Sequence, residues 1–571
     1  MDAQKKRCKI CNTENLVEFI SFGQMPVANA YVKKSDLDKN EFSYEMKVGF
    51  CENCKMVQMI NVVPYEKYIV QDNFGKTSYA FFSSTSKFME DHFSGFAMEI
   101  EKKFLEPNSK VLETGSNDGI MLQAFKNHEV LGVEPSTNVA EIAISKKIPT
   151  INDFFTESLA KKILTEKGKF RAILSANVTL NIIDLHDYLK GVTTLLDEKG
   201  IFVTEDPYLL DILEKNSYDQ IYDEHVWYFS LNSLSNLYAQ HGLEIFDAER
   251  QWTHGGSMRV FACRKDAYEK TERLKKYFDE EQQKKINLID PYLEFYKRVE
   301  ENKKKLIDLI YSLKAQGKKI VGYAAASKGT IVQNYCDLGP NIIEYISDST
   351  PFKQGLYTPG KNIPIVSPEF FHDDKKADYA FLFAWNHAEE IIKKEQEFIS
   401  RGGRFIVHLP EPKIVESQKQ ESKEISEIQI KKLNIFANDQ GYLFETIRSD
   451  DKIFDGKFGQ VLVSAVYPGI IKGLHLHKKQ TDYTTCIKGN IKYIAIKINS
   501  DKTIKINTFV VGEKNPILIK CPPGIWHGYT PLSNQEAIVF HLMDKVYDPA
   551  DPDTDRKDPF EFGDVWTPRH G

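Results

Sequence analysis

VLETGSNDGIML, Val111 to Leu122, is an apolar run, a loop holding Gly115 and Gly119, and the apolar start of a helix. A short apolar run closed by glycine reads as a buried strand. Glycines at its carboxyl end let a ligand approach the backbone where the strands of a parallel sheet finish. The next strand, LGVEPS, ends in Glu134, placed to accept both hydroxyls of a ribose. The spacing between loop and acid suits adenosine held across adjacent strands. The loop has neither the G-x-G-x-x-G of a dinucleotide site nor the Gly-Lys-Ser/Thr of a P-loop. A nucleoside cofactor without a pyrophosphate fits better, and S-adenosylmethionine is the expected one. Asp153, in TINDFF, is within reach of the adenine amine on this reading; an ordinary solvated loop acid is the equal alternative.

Outward from this stretch the chain alternates strands with helices. The candidate strands KVLETG, VLGVEP, RAILSAN, GIFVTEDP and MRVFACR predict a doubly wound α/β domain over 73–265. Its first helix is expected over 79–104, where Phe88, Phe93, Phe96, Met98 and Ile100 recur at helical spacing. A charged stretch beyond 265 carries Leu, Tyr, Phe and Ile on one face, which predicts a connecting helix with one buried face; its mixed charge argues against a calmodulin-type target. KIVGYAAASKG then opens a second, smaller α/β unit that closes at GGRFIVHLPEP, so 266–412 form one domain. Residues 413–432 are polar and free of aromatics, which predicts a linker, partly helical at best. From 433 to 571 short β runs alternate with Gly, Pro, Asn and Asp turns, the pattern of a small β-barrel or sandwich.

A chain of 571 residues exceeds what one core serves, in keeping with several domains. Its 75 basic and 81 acidic residues leave a net charge of −6, so no whole-molecule field draws in nucleic acid. No apolar run approaches the ~18–20 residues that span a bilayer. The start, MDAQKKRCKICN, lacks the apolar stretch of a secretory signal, and a cytoplasmic protein is expected, with its 8 cysteines as thiols or metal ligands. Cys8 and Cys11 in CKIC, and Cys51 and Cys54 in CENC, are two pairs whose two-residue gaps aim both thiolates at one ion. Together they predict a zinc-ribbon-like module over 1–72 holding a structural Zn2+, since a closed thiolate shell leaves no position for substrate. Cys263, Cys336, Cys486 and Cys521 sit in apolar contexts and are expected in cores.

The cysteine pairs, GSNDG, DLHDY, YDEHVWYFS, HGGSMRV, GYAAASKG, KQGLYTPGKNIPI and Ala384-Trp385-Asn386 follow one another in order over residues 5–413. In this the chain resembles the sugar C-methyltransferases that act on nucleotide-linked 4-keto-deoxysugars. The resemblance implies a zinc-binding N-terminal module, a Rossmann-like S-adenosylmethionine methyltransferase domain, and a second Rossmann-like domain that helps hold the nucleotide sugar, with dTDP the expected nucleotide. It implies Gly115, Asn117, Asp118, Gly119, Glu134, Asp153 and Asn177 at the cofactor, and Tyr79, His254 and Lys328 at the sugar nucleotide. To methylate a ring carbon beside a ketone, an enzyme must remove its proton, steady the enolate, and present the carbon in line with the sulfonium methyl. A neutral imidazole suits the first task. By resemblance His225 is the base, Glu224 orients the site, and Tyr222 donates toward the developing oxyanion. The alternative for YDEHVWYFS is an acid–histidine pair that ties down a loop. His254, followed by Gly255 and Gly256, shapes the substrate pocket or makes a turn between two strands. The chain departs from the family pattern at Asn181, where a histidine is usual, and at Phe81 in the series Tyr79, Phe81, Ser83, Ser86. An amide does not exchange protons and phenylalanine has no hydroxyl, so slower turnover or a different substrate is expected.

Gly469 to Gly489 runs G-x5-H-x-H-x4-D-x6-G, with His527 after Pro-Pro-Gly, which is the spacing of a cupin barrel. Inward-pointing His475, His477, Asp482 and His527 can then ligate a divalent metal. A competing resemblance rests on KGLHLH, PPGIWHGY, YDPADPDTDRKDP and VWTPRHG. These are similar to dTDP-4-dehydrorhamnose 3,5-epimerases, cupins that work without metal, with the first histidine as base and a tyrosine as acid. His475 matches that base, His541 falls at the tyrosine position, where an imidazolium can donate, and His477 and His527 face the substrate. The expectation is a bifunctional enzyme that methylates C3 of a 4-keto-6-deoxysugar and epimerises or isomerises it in the cupin, with a homodimer through the cupin by analogy. A sugar-binding cupin without catalysis is one rival. The other is a nucleic-acid methyltransferase gripping RNA with its zinc module, against which the negative charge stands.

Overall fold

Lys110–Thr114 is an inner strand of a seven-stranded sheet whose order is Leu243–Gln251, Ser257–Arg264, Leu196–Pro207, Phe170–Ala176, Lys110–Thr114, Glu129–Val133, Thr150–Ile151. The computed structural model describes residues 7–67, 70–71, 77–78, 87–415, 425–438, 441–499, 504–532, 535–550, 552–559, 561–562 and 565–566. They divide into two compact units, 1–416 and 417–571. In the seven-stranded sheet only Ser257–Arg264 runs against its neighbours. Val111, Leu112, Val133, Ala172, Ile173, Phe202 and Val203 are buried, as expected where helices cover both faces of a parallel sheet and the strands read as apolar runs. From Lys110–Thr114 the chain winds outward through two strands, then returns to pair Phe170–Ala176 on the other side. That reversal places the loops after these two strands in one crevice.

Leu243–Gln251 was not expected as a strand; Glu244, Asp247, Glu249 and Arg250 dilute its apolar pattern at the sheet edge. In the helix Lys87–Phe104, Phe93, Phe96 and Ile100 are buried, but Met98 is 60% exposed. Two residues turn an α-helix by about 200°, so Met98 cannot share a face with Phe96 and Ile100. Tyr79, Phe81, Ser83 and Ser86 lie outside the described residues. The single connecting helix expected after 265 is two helices, Glu272–Gln283 and Asp290–Ala315, the second with Pro291 in its first turn. Its buried face, Tyr292, Phe295, Val299, Leu306, Ile310 and Leu313, follows the helical period.

The second α/β sheet has the order Ile365–Val366, Ile346–Ser347, Ile320–Tyr323, Tyr379–Leu382, Arg404–Val407, Lys413–Val415. Its first five strands are parallel and the last is antiparallel. Here too the order reverses beside the first strand, so Ser327 and Lys328, which begin the helix Ser327–Tyr335, stand at a switch point. The N-terminal sheet is a long hairpin, Leu16–Pro26 with Ser43–Cys51, extended by Val57–Met59 and then by Trp227–Tyr228. The last of these strands comes from YDEHVWYFS, so the segment around His225 is part of the zinc module's sheet.

The second unit contains two five-stranded antiparallel sheets. One orders Gln429–Lys432, Ile517–Cys521, Asp482–Lys488, Ala537–Met543 and Gln460–Val466; the other orders Ile504–Gly512, Asn490–Ile498, Trp526–Pro531, Lys472–Leu476 and Asp555–Arg556. The expected linker 413–432 is strand at both described ends, Lys413–Val415 in one unit and Gln429–Lys432 in the other. Backbone pairing at a sheet edge does not require apolar side chains, which is why polarity alone misjudged those residues.

Candidate active site

The four N-terminal thiols converge. Cys8 Sγ lies 3.6 Å from Cys54 Sγ and Cys11 Sγ lies 3.5 Å from Cys51 Sγ, and all four sulfurs fall within 4.8 Å of one another. Zinc–thiolate bonds of about 2.3 Å in a tetrahedron separate the sulfurs by about 3.8 Å, so the set fits a zinc ion. Each knuckle closes on a left-handed residue, Asn12 and Lys55, directly after its second cysteine. Gln58, fully buried, donates from Nε2 to Cys8 Sγ at 3.0 Å, and its strand pairs with Trp227–Tyr228.

In the crevice of the seven-stranded sheet, Gly115 and Gly119 adopt φ of 64° and 78°. A Cβ on Gly115 would stand 2.3 Å from Val178 Cγ2, so this strand end admits only glycine. Glu134 is buried and accepts from the backbone N–H of Asn117 at 3.0 Å and of Ser136 at 2.8 Å. Burial raises its affinity for a proton, and these two donors reverse only part of the rise; each oxygen keeps a second lone pair for a hydroxyl. Asp118 is buried against Lys146 at 3.3 Å, whereas Asp153 is exposed and caps the N–H of Phe154. Asn177 is left-handed, φ 56°, and its Oδ1 is buried without a partner among the described residues. Glu113 Oε2 is likewise orphaned, and burial, with Glu134 and Asp118 nearby, pushes Glu113 well above the usual carboxyl range. Glycine-only backbone, a buried acid and an unpaired amide oxygen at one switch point fit the nucleoside cofactor expected there.

His225 is 8% exposed, and its Nδ1–H donates to the carbonyl of Gln220 at 2.8 Å. A carbonyl only accepts, so the proton of a neutral ring sits on Nδ1 and the basic lone pair is on Nε2. The Tyr222 ring packs against it, centroids 3.9 Å apart. The two acids that directly precede it are held by the zinc module: Asp223 accepts from Ala28 N at 2.8 Å and Glu224 from Asn29 Nδ2 at 2.6 Å. Burial and the neighbouring Glu224 push Asp223 up to about 7. Asn29 in turn accepts from Ser327 Oγ of the second α/β sheet at 2.9 Å. Val226 N donates to Leu180 O and Trp227 Nε1 to Ile182 O, which sets Asn181 beside the same segment. Lys328 Nζ stands 5.4 Å over the Trp385 ring, and burial lowers its proton affinity. A Cβ on Gly255 would meet Trp385 Cη2 at 2.9 Å, so HGG, Trp385 and Lys328 adjoin. The backbone of His254 lies in the short turn Thr253–Gly255.

In the second unit the interior-facing polar groups form a continuous set. His477 donates through Nδ1 to Asp553 O at 2.6 Å and His527 through Nδ1 to Ile525 O at 3.0 Å. Their Nε2 atoms lie 3.4 and 3.2 Å from Asp482 Oδ2. Burial works against charge on Asp482, but the two imidazoles overcome it and hold it well below the carboxylate range. Despite burial, His477 is raised by Asp482, and His527 by Cys521 and Asp482. His475, 4.2 Å from the His527 ring, is lowered by burial and by His527. The ligand atoms of all four residues lie within 4.8 Å of one another, so the set can take a cation. Burial pushes His541 down to about 4, which disfavours the imidazolium expected there.

The comparisons with known proteins agree with this layout. Residues 8–68 match a zinc binding domain, 87–248 a methyltransferase domain, and 252–410 the C-methyltransferase C-terminal domain. C-methyltransferase NovU of Streptomyces niveus is 33% identical over 415 residues, 72% of this chain and 97% of that protein. The chain belongs to the C-methyltransferase family. Residues 436–555 match the polysaccharide biosynthesis C-terminal domain. Over 134 residues the chain is 32% identical to the spore coat polysaccharide biosynthesis protein SpsL of Bacillus subtilis, 23% of this chain and 88% of that protein. Among solved structures, NovW, a 4-keto-6-deoxy sugar epimerase from Streptomyces spheroides, is 18% identical, covering 23% of this chain and 70% of its own, with a TM-score of 0.22.

Across the two units three further groups adjoin the expected ones, Glu113 and Gln220 in the first and Tyr529 in the second. Glu113 was legible as an acid in an otherwise apolar strand end, the usual mark of a buried polar site. The Gln220 carbonyl carried no signal, because a backbone acceptor is indifferent to residue type. Tyr529, whose hydroxyl meets His541 Nε2 at 3.0 Å, lies two residues beyond His527 on the same strand face.

Proposed function

We propose that the first unit methylates the carbon beside the C4 ketone, C3, of a dTDP-linked 4-keto-6-deoxysugar, and that the second unit moves a proton beside the same ketone by epimerisation or keto-isomerisation. The observation that carries the first half is the His225 Nδ1–H bond to Gln220 O, which leaves Nε2 as the basic atom. Bound S-adenosylmethionine supplies an electrophilic methyl group. The chain's own residues do the rest. His225 takes the C3 proton, Tyr222 donates toward the enolate oxygen, and Glu224, fixed by Asn29, orients the segment. Gly115, Asn117, Asp118, Gly119, Glu134 and Asn177 hold the cofactor at the switch point, while Lys328 and the turn that contains His254 bind the sugar nucleotide. The four cysteines hold a structural zinc that fixes the sheet carrying the base.

In the second unit His475 is the base, with His477, Asp482 and His527 forming the polar wall beside it. The relation to SpsL supports a saccharide substrate for this unit, and a dimer through it is part of the same reading. No described helix is long and apolar enough to cross a membrane. Incubating the full chain with dTDP-4-keto-6-deoxyglucose tests the proposal. The product should gain one methylene in mass only when S-adenosylmethionine is present; a chain that binds the cofactor yet never alkylates such sugars refutes it.

A further inference from the structure

His541 stands where the epimerase resemblance requires a proton donor, yet its surroundings make it an acceptor. It is 7% exposed between two hydroxyls, Thr484 Oγ1 at 3.1 Å from Nδ1 and Tyr529 at 3.0 Å from Nε2, with Ser464 Oγ at 3.4 Å from the same nitrogen. Burial favours the neutral ring. Burial raises Tyr529 above the ordinary phenol value near 10, but the N–H of a neutral imidazole is a far weaker acid still. The acidic proton in this group therefore belongs to Tyr529. Ser464 Oγ lies 2.8 Å from the Tyr529 oxygen, placed to donate to it once that proton has left. Tyr529 and His527 share one face of Trp526–Pro531, and His475 pairs with His527 across the adjacent strand. Base and phenol thus face one interior, one residue pair apart along the sheet.

We propose that Tyr529, held by His541 and Ser464, is the catalytic proton donor of the second unit. This rests on the proton-transfer reading of that unit. His475 takes the hydrogen from the carbon beside the ketone as a proton, leaving an enolate and an imidazolium. The Tyr529 O–H bond then breaks toward the enolate carbon, forming a C–H bond and leaving a phenolate to which Ser464 donates. Transfer of the imidazolium proton to solvent, and of a solvent proton to the phenolate, restores the resting state. His541 acts through Tyr529 and is a positioning residue.

The test uses the full chain, without S-adenosylmethionine, on dTDP-4-keto-6-deoxyglucose in heavy water, with deuterium at C3 and C5 and the inverted or isomerised product followed by mass spectrometry and NMR. Wild type should show both exchange and product. Tyr529→Phe should lower product formation at least a hundredfold while exchange into recovered substrate stays within about fivefold, because His475 returns deuterium to the face it deprotonated. His541→Gln, whose amide oxygen can still accept from Tyr529, should retain at least a third of the product rate. Full product formation by Tyr529→Phe, or its loss in His541→Gln with Tyr529→Phe active, overturns the assignment. Absence of exchange in wild type overturns the underlying reading itself, a result distinct from either.

Discussion

Replacing Arg259 by methionine removes a guanidinium that reaches Glu205 Oε2 through Nε at 2.9 Å and Nη2 at 2.8 Å, and Glu99 through Nη1 at 2.6 Å. Glu205 is wholly buried on the strand whose backbone carbonyl holds Asn177 N at 2.7 Å, so the network lies under the cofactor crevice. Burial alone raises a carboxyl; Arg259 and His92 overcome it and bring Glu205 down to about 2, against 4.5 for an ordinary glutamate. At about 1.36 kcal/mol per pH unit that gap is worth about 3 kcal/mol. A methionine of similar length leaves the carboxylate buried without its main partner, a change that costs about 3–5 kcal/mol. The folded value is depressed, so the contribution is complete above pH 4.5 and is lost as pH falls toward 2. By pH 4 the gap between wild type and variant should narrow by about 1 kcal/mol. Urea unfolding of the first unit at pH 7.5 and pH 4 measures both quantities. A variant within about 0.5 kcal/mol of wild type at pH 7.5, or a gap that widens on acidification, refutes the reasoning.

Three further outcomes follow from the same geometry. Gly115→Ala places a methyl 2.3 Å from Val178 Cγ2 at a positive φ, and calorimetric affinity for S-adenosylmethionine should fall at least about tenfold; unchanged affinity would move the cofactor elsewhere. Cys11→Ser should reduce metal content from about one zinc per chain to a small fraction of that by elemental analysis, since three thiolates leave the tetrahedron open; retained zinc contradicts the four-cysteine site. Burial pushes Glu113 well above the usual carboxyl range and so favours its neutral form, and Glu113→Gln should cost under about 1 kcal/mol in thermal unfolding. A loss above about 3 kcal/mol would mean the carboxyl is ionised there.

The parallel strands were legible because burial on both faces forces uninterrupted apolar runs, and the glycine loop because only glycine tolerates the approach of Val178. The edge strand Leu243–Gln251 was not, since an edge position permits the charges that mask its period. Met98 was misplaced by counting apolar residues without their angle around the helix. Side-chain chemistry marked the cysteine knuckles and the histidines. What spacing could not carry was the joining of Trp227–Tyr228 to the zinc sheet, a pairing across some 170 residues made by backbone groups. The same holds for the tautomer of His225, which a carbonyl decides, and for the neutral state of His541, which depends on what is packed around it.

The central claim is that His225 Nε2 removes the proton beside the sugar ketone, and one variant tests it most directly. His225→Asn keeps a polar side chain of similar reach but removes the basic nitrogen. Single-turnover methyl transfer to dTDP-4-keto-6-deoxyglucose should fall by about 10²–10⁴-fold, with affinity for S-adenosylmethionine within about twofold of wild type. Methyl transfer within tenfold of wild type by a folded, cofactor-bound His225→Asn chain would contradict the account.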